Sequence, residues 1–147
     1  MAQVQQLHGT AVAIDGHGVL LLGPPGAGKS DLALRLIDRG ARLIADDRVD
    51  LTRVEDSIVM SAPRRIAGLI EVRGLGVFRL DDRAEAPLAL AVRLVPREAI
   101  ERLPDPASVT YLGLARPVVQ LDPFELSAPI KVEWAARRAA VAAEVLL

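Results

Sequence analysis

Short apolar runs punctuated by glycine, proline and acidic turns fill most of the chain, and three stretches carry helical spacing. Gly9-Thr10-Ala11-Val12-Ala13-Ile14 reads as a strand, Asp15-Gly16-His17-Gly18 as a tight turn, and Val19-Leu20-Leu21-Leu22 as a second strand, so the chain opens on a β-hairpin. From Asp31 the apolar residues Leu32, Ala33, Leu34, Leu36 and Ile37 predict a helix that Gly40 terminates. Ala41-Arg42-Leu43-Ile44-Ala45 then returns as a buried strand, completing a βαβ unit. Between Val49 and Met60 two strands flank Glu55-Asp56-Ser57, and Leu69-Ile70-Glu71-Val72 precedes a segment broken by glycines.

Alternation through Ala89-Leu90-Ala91-Val92-Arg93-Leu94-Val95 predicts another strand. Pro96 to Leu103 reads as a short helix with proline in its first turn. Pro104, Pro106, Pro117, Pro123 and Pro129 divide the chain beyond it into short pieces, with a strand at Val118-Val119-Gln120-Leu121. The alanine-rich stretch from Val132 to Leu147 reads as a third helix, with an apolar stripe broad enough that docking on another subunit is expected. The expected class is α/β.

At 147 residues and 51% hydrophobic content, the chain can bury one good core, so a single domain over 1–147 is expected. A formal net charge of −1 advertises neither a nucleic-acid surface nor a membrane surface. With no cysteine, disulfides and thiolate metal sites are excluded. No signal pattern opens the chain and no apolar run is long enough to span a bilayer, so a cytoplasmic protein is expected.

Gly23-Pro24-Pro25-Gly26-Ala27-Gly28-Lys29-Ser30 changes the picture most, because it joins a strand to a helix with the full spacing of a phosphate-binding loop. Glycines let the backbone turn and aim successive N–H groups at oxygens, and the helix adds the positive end of its dipole. Lys29 would reach the β- and γ-phosphates, and the Ser30 hydroxyl would take a place on Mg²⁺. ATP with Mg²⁺ is the implied ligand. Such a loop needs carboxylates opposite, to hold the metal from the far side and to take a proton from the nucleophile. Asp46-Asp47, after the strand that follows the loop helix, are the candidates, because parallel strands end in one crevice. Taken alone, His8 reads as a solvated or capping residue at the start of a strand, and Glu71 as an outward position between Ile70 and Val72.

Together, Leu7-His8-Gly9-Thr10, the loop, Leu43-Ile44-Ala45-Asp46-Asp47-Arg48-Val49 and Gly68-Leu69-Ile70-Glu71-Val72-Arg73-Gly74-Leu75-Gly76 resemble the catalytic domain of HPr kinase/phosphorylase, over about residues 7–80. The resemblance implies a phosphate-loop core related to phosphoenolpyruvate carboxykinase, with a mixed sheet and hairpins. It implies a serine kinase that uses ATP and Mg²⁺, an HPr-type phosphocarrier of the sugar phosphotransferase system as substrate, and hexameric assembly. By motif, His8, Lys29 and Asp46 resemble the catalytic residues, with Asp46 accepting the serine proton. Ser30 and Glu71 resemble the metal ligands, with Asp47 beside them. Ile70, Glu71, Val72, Arg73, Gly74, Leu75 and Gly76 resemble the signature segment, which runs on to Arg79 and serves both directions of the reaction.

The chain departs from the family in three places. Its motifs begin almost at Met1, where relatives carry an amino-terminal domain. Tyr111 stands where the family has an arginine before Leu-Gly-Leu, with Arg116 the nearest candidate to replace it, and the loop supporting dephosphorylation is reduced to Ala128-Pro129-Ile130-Lys131-Val132. These departures argue against the reverse reaction, phosphorolytic removal of the phosphoryl group. They leave two alternatives to the kinase: a regulatory ATP-binding module without transfer, and a small-molecule P-loop kinase.

Overall fold

A computed structural model describes residues 3–144. Eleven strands and two helices follow in chain order as β1 (Val4–His8), β2 (Thr10–Ile14), β3 (His17–Leu22), α1 (Lys29–Asp38), β4 (Arg42–Ala45), β5 (Arg48–Val54) and β6 (Ser57–Ser61), then β7 (Leu69–Val72), β8 (Gly76–Arg79), β9 (Ala86–Leu94), β10 (Ala107–Tyr111), β11 (Leu114–Leu121) and α2 (Ala128–Glu144). Nine strands form one mixed sheet, and β7 and β8 form a separate hairpin.

Asp15 and Gly16 alone turn β2 into β3, both with positive φ, at 51° and 80°. Such a turn matches the twist of the strands it joins. His17 and Gly18 therefore belong to β3, with Ile14 opposite His17, and are not part of a four-residue turn. Gly18 sits where β3 meets β9, and a Cβ there would lie 2.6 Å from both the Pro87 carbonyl oxygen and the Met60 methyl. Gly18→Ala is accordingly expected to destabilise the fold by about 1–3 kcal/mol, as overpacking does, read as a lower urea midpoint.

The βαβ unit is present with one strand inserted. β3 and β4 both run antiparallel to β2, which lies between them, and α1 connects the two. Their carboxyl ends therefore point the same way with the start of β2, at Thr10, between them. On its other edge β3 pairs in parallel with β9. The nine-residue β9 links the two halves of the sheet: its start pairs with β6 and its end with β11.

Apolar side chains fill both faces. Val12, Val19, Leu21, Leu43, Leu90 and Val92 meet α1 and α2 on one side, while Ala11, Leu20, Ile44, Leu51, Ile58 and Met60 pack on the other, where β5 and β6 curl over. Burial on both faces explains why the inner strands are continuous apolar runs rather than alternating ones. α2 presents Ala128, Val132 and Ala136 to the core. The small side chains let the helix approach, and Arg39, just past the end of α1, clamps Glu133 with Nε at 3.0 Å and Nη2 at 2.8 Å.

Several expected boundaries move. α2 starts at Ala128 rather than Val132, since Pro129 is tolerated in a first turn, so Ala128 to Val132 are helix and not loop; residues 145–147 of the expected helix lie outside the described residues. The helix expected from Pro96 to Leu103 reduces to one 3₁₀ turn at Arg97–Ala99, after which Ile100 is extended and Leu103 is exposed, with no apolar face to bury. No helix among the described residues is long and apolar enough to cross a membrane, which says nothing of a β-barrel.

Candidate functional site

The loop between β3 and α1 is shaped by its glycines. Gly26 and Gly28 hold left-handed φ of 81° and 98°, and a Cβ on Gly23 would come within 2.8 Å of the Ala27 methyl. Gly28 caps α1 without any side-chain cap, so the first-turn N–H groups face the loop's concavity. Lys29 folds back over the loop, its Nζ donating to the carbonyls of Gly23 at 2.6 Å and Pro24 at 3.1 Å.

Ser30 donates its hydroxyl to Asp46 Oδ1 at 2.6 Å. Asp46 follows β4 directly, is only 7% exposed, and accepts two further hydrogen bonds: the Thr10 hydroxyl on Oδ1 and the Glu71 N–H on Oδ2, each at 3.0 Å. One carboxylate thus joins the helix start, the start of β2 and the β7–β8 hairpin. Asp47 sits differently. Its φ is 72°, its carbonyl accepts from the Gly9 N–H, and its side chain is 77% exposed. Adjacent aspartates therefore point to different surroundings, one into the network and one into the open.

A cleft of about 630 Å³ runs over this network, lined by Pro25, Gly26, Gly28, Lys29 and Ser30 of the loop, by Asp47, and by Glu71, Val72 and Arg73. The signature segment divides. Ile70 is a core residue, Glu71 to Arg73 face the cleft, and Gly74 and Leu75 form the exposed hairpin tip. His8 ends β1 opposite Arg48, exposed and outside the lining. Thr10 and Phe124 line the cleft although sequence reasoning gave them no role. Thr10 could have been found from its position at the head of the strand beside the loop strand; Phe124 lies far along the chain and carries no local signal.

The residues near Ser30 suit a hard divalent cation. A loop built to take a polyanion faces Asp46, Asp47 and Glu71, whose negative charge repels such a ligand unless a cation lies between. A hydroxyl and carboxylates are the oxygen donors Mg²⁺ prefers. Among the described residues no three or more His, Cys, Asp or Glu converge to hold a metal alone, so a cation here would complete its shell with phosphate oxygens and water.

The residues named for the reverse reaction lie elsewhere. Tyr111 packs against the core on the far face, where burial pushes its hydroxyl pKa up against the opposing charge of Arg93, and it is not among the cleft's lining residues. Arg116 does not line the cleft either: its guanidinium donates to the backbone carbonyls of Leu88, Asp56 and Ala115. Its donors brace β9 and the β5–β6 turn.

The sequence model of the HPr Serine kinase C-terminal domain family matches residues 1–84. The HPr kinase/phosphorylase of Clostridium tetani is 47% identical over 78 residues, covering 53% of this chain and 26% of that protein. That of Lactobacillus johnsonii is 34% identical over 143 residues, covering 90% and 43%. The chain thus spans less than half the length of these curated relatives. The structure of the Hpr(Ser) kinase/phosphatase from Coxiella burnetii superposes with a TM-score of 0.84 at 29% identity, covering 95% of this chain and 93% of that one.

Proposed function

The chain belongs to the HPr serine kinase C-terminal domain family, and on that premise we propose that it transfers the γ-phosphoryl group of ATP, with Mg²⁺, to a serine of an HPr-type phosphocarrier protein. The observation that carries this reading is the Ser30 hydroxyl held by Asp46 at 2.6 Å, one residue from Lys29 at the uncapped start of α1. A hydroxyl that gives its proton to a carboxylate keeps an oxygen lone pair free for a cation. The metal, when bound, neutralises phosphate charge and fixes the orientation of the terminal phosphates.

The chain's own residues do the rest. Loop N–H groups and the helix dipole hold the phosphate chain, and Lys29 leaves the Gly23 and Pro24 carbonyls to meet the transferring group. The serine oxygen forms its bond to phosphorus as the bond to the bridging oxygen of ADP breaks, and the serine proton passes to Asp46. Glu71 and Asp47 line the metal side, while His8, catalytic by family resemblance, stands exposed at the end of β1 outside the cleft lining. Positioning and electrostatic stabilisation supply most of the rate.

One observation favours a second assignment within the same reaction. Asp46 is buried and already accepts hydrogen bonds from Ser30, Thr10 and the Glu71 N–H, whereas Asp47 stands open on the cleft wall. In that assignment Asp46 anchors the metal side and Asp47 takes the serine proton. The placement of Tyr111 and Arg116 away from the cleft supports a kinase that runs forward without the phosphorolytic direction.

The wider reading is of one P-loop kinase domain related to phosphoenolpyruvate carboxykinase, cytoplasmic and assembled as a homo-oligomer, a hexamer by family. ADP release measured with and without added carrier tests the function. Carrier-dependent release is expected; ATP binding with no carrier-dependent release would replace the kinase by a regulatory nucleotide-binding module.

A further inference from the structure

The segment that follows β11 brings an aromatic ring to the phosphate loop. Pro123 is buried, yet Phe124 beside it is 73% exposed. The backbone that carries the ring is held at two points. Asp122 Oδ1 accepts the Phe124 N–H at 3.0 Å, and Arg35 of α1 donates to the Pro123 carbonyl. A Cβ on Gly28 would lie 3.5 Å from the Phe124 ring and 3.4 Å from the Pro123 ring, so both rings stand beside the loop with about a methyl group's room between them and the glycine. Phe124 lines the same cleft as Gly26, Gly28, Lys29 and Ser30, and the cleft's other apolar lining residues are Pro25, Leu34 and Val72.

Aromatic residues make up only 3% of this chain, two of them phenylalanine. An exposed ring beside the loop that would take a polyphosphate is therefore not explained by abundance. Leaving it in water gives up the burial that a large apolar side chain ordinarily supplies. A nucleotide held by its phosphates on this loop has its base within the same cleft's reach, and among the described residues Phe124 is the one aromatic residue lining that cleft.

We propose that Phe124 is the stacking platform for the nucleobase of the nucleotide whose phosphates occupy the Gly23–Ser30 loop. The proposal rests on the nucleotide-binding reading above and adds the subsite that holds the base. Stacking on an aromatic side chain is worth about 1–3 kcal/mol per base, which corresponds to about 5- to 150-fold in affinity at tenfold per 1.36 kcal/mol.

Calorimetric titration of the full chain with ATP and with inorganic tripolyphosphate, both in Mg²⁺, separates the possibilities. Phe124→Ala is expected to weaken ATP binding at least 5-fold while tripolyphosphate affinity stays within 2-fold, and Phe124→Tyr is expected to restore ATP binding. Equal loss of both ligands would make the ring a prop for the loop and overturn the proposal. No loss of either would overturn it too, and a fall in oligomer mass with ATP affinity unchanged would assign the ring to contact with a second copy. A wild-type chain that binds neither ligand fails the nucleotide reading itself, whereas one that binds both with no preference sensitive to Phe124 fails only the subsite.

Discussion

Lys29→Ala lowers phosphoryl transfer by about 10²–10³-fold, the loss expected on removal of one preorganised charge from a developing anionic transition state. The ammonium rests on two carbonyls of its own loop, a short bond to Gly23 at 2.6 Å and a longer one to Pro24 at 3.1 Å. That arrangement keeps the charge over the loop before any ligand arrives. Exchanging two carbonyls for phosphate oxygens moves the charge a short way and leaves the loop backbone where it was. Removing the side chain exposes carbonyls that water can satisfy, so stability changes little, by about 0.5 kcal/mol or less. Steady-state transfer rates together with a urea melt check this: activity should collapse while the unfolding midpoint holds.

Asp46→Asn has the second large effect, and it touches both activity and stability. The amide keeps the shape of the carboxylate, but its two ends differ. An amide oxygen toward Ser30 and Thr10 leaves an N–H₂ facing the Glu71 N–H, donor against donor. The buried network then lacks one acceptor, at a cost of about 1–3 kcal/mol. Transfer falls by about 10²–10⁴-fold, the range for losing a positioned proton acceptor. Asp47→Asn, on an exposed side chain, should leave stability unchanged. The comparison of their rates decides between the two assignments. A greater loss in Asp46→Asn keeps Asp46 as proton acceptor; a comparable or greater loss in Asp47→Asn moves that role to the open carboxylate.

Local structure was legible in the sequence. The strand-loop-helix around Gly23–Ser30, the following strand and the Asp46-Asp47 pair are written in contiguous residues, and the spacing of a phosphate loop leaves little freedom in how they fold. Relations across the sheet were not legible. Nothing local says that β2 lies between β3 and β4, because only the pairing of distant residues decides it. β8 escaped notice because Val77 and Phe78 are exposed on a free hairpin, where no buried face imposes alternation. β10 was missed for a similar reason, since its residues are mostly exposed and Pro104 and Pro106 obscure its start.

The same division holds at the site. Ser30 and Asp46 were named as candidates separately, but that the Ser30 hydroxyl donates to Asp46 at 2.6 Å, with Thr10 and the Glu71 backbone on the same carboxylate, depends on three elements meeting. Phe124 lines the same cleft as Gly28 from far along the chain, a placement that follows from the β9–β11 pairing and the Arg35 bond to the Pro123 carbonyl. His8 shows the converse. Its motif singles it out, yet the end of β1 leaves it exposed and outside the cleft lining.

The most direct test is mass spectrometry of an HPr-type carrier after incubation with this protein, ATP and Mg²⁺. The expected product carries one phosphoryl group, stable to acid and mapped to serine, and it is absent with the Lys29→Ala protein. A carrier that stays unmodified while the protein demonstrably binds ATP, or that gains only an acid-labile phosphohistidine, would contradict the account.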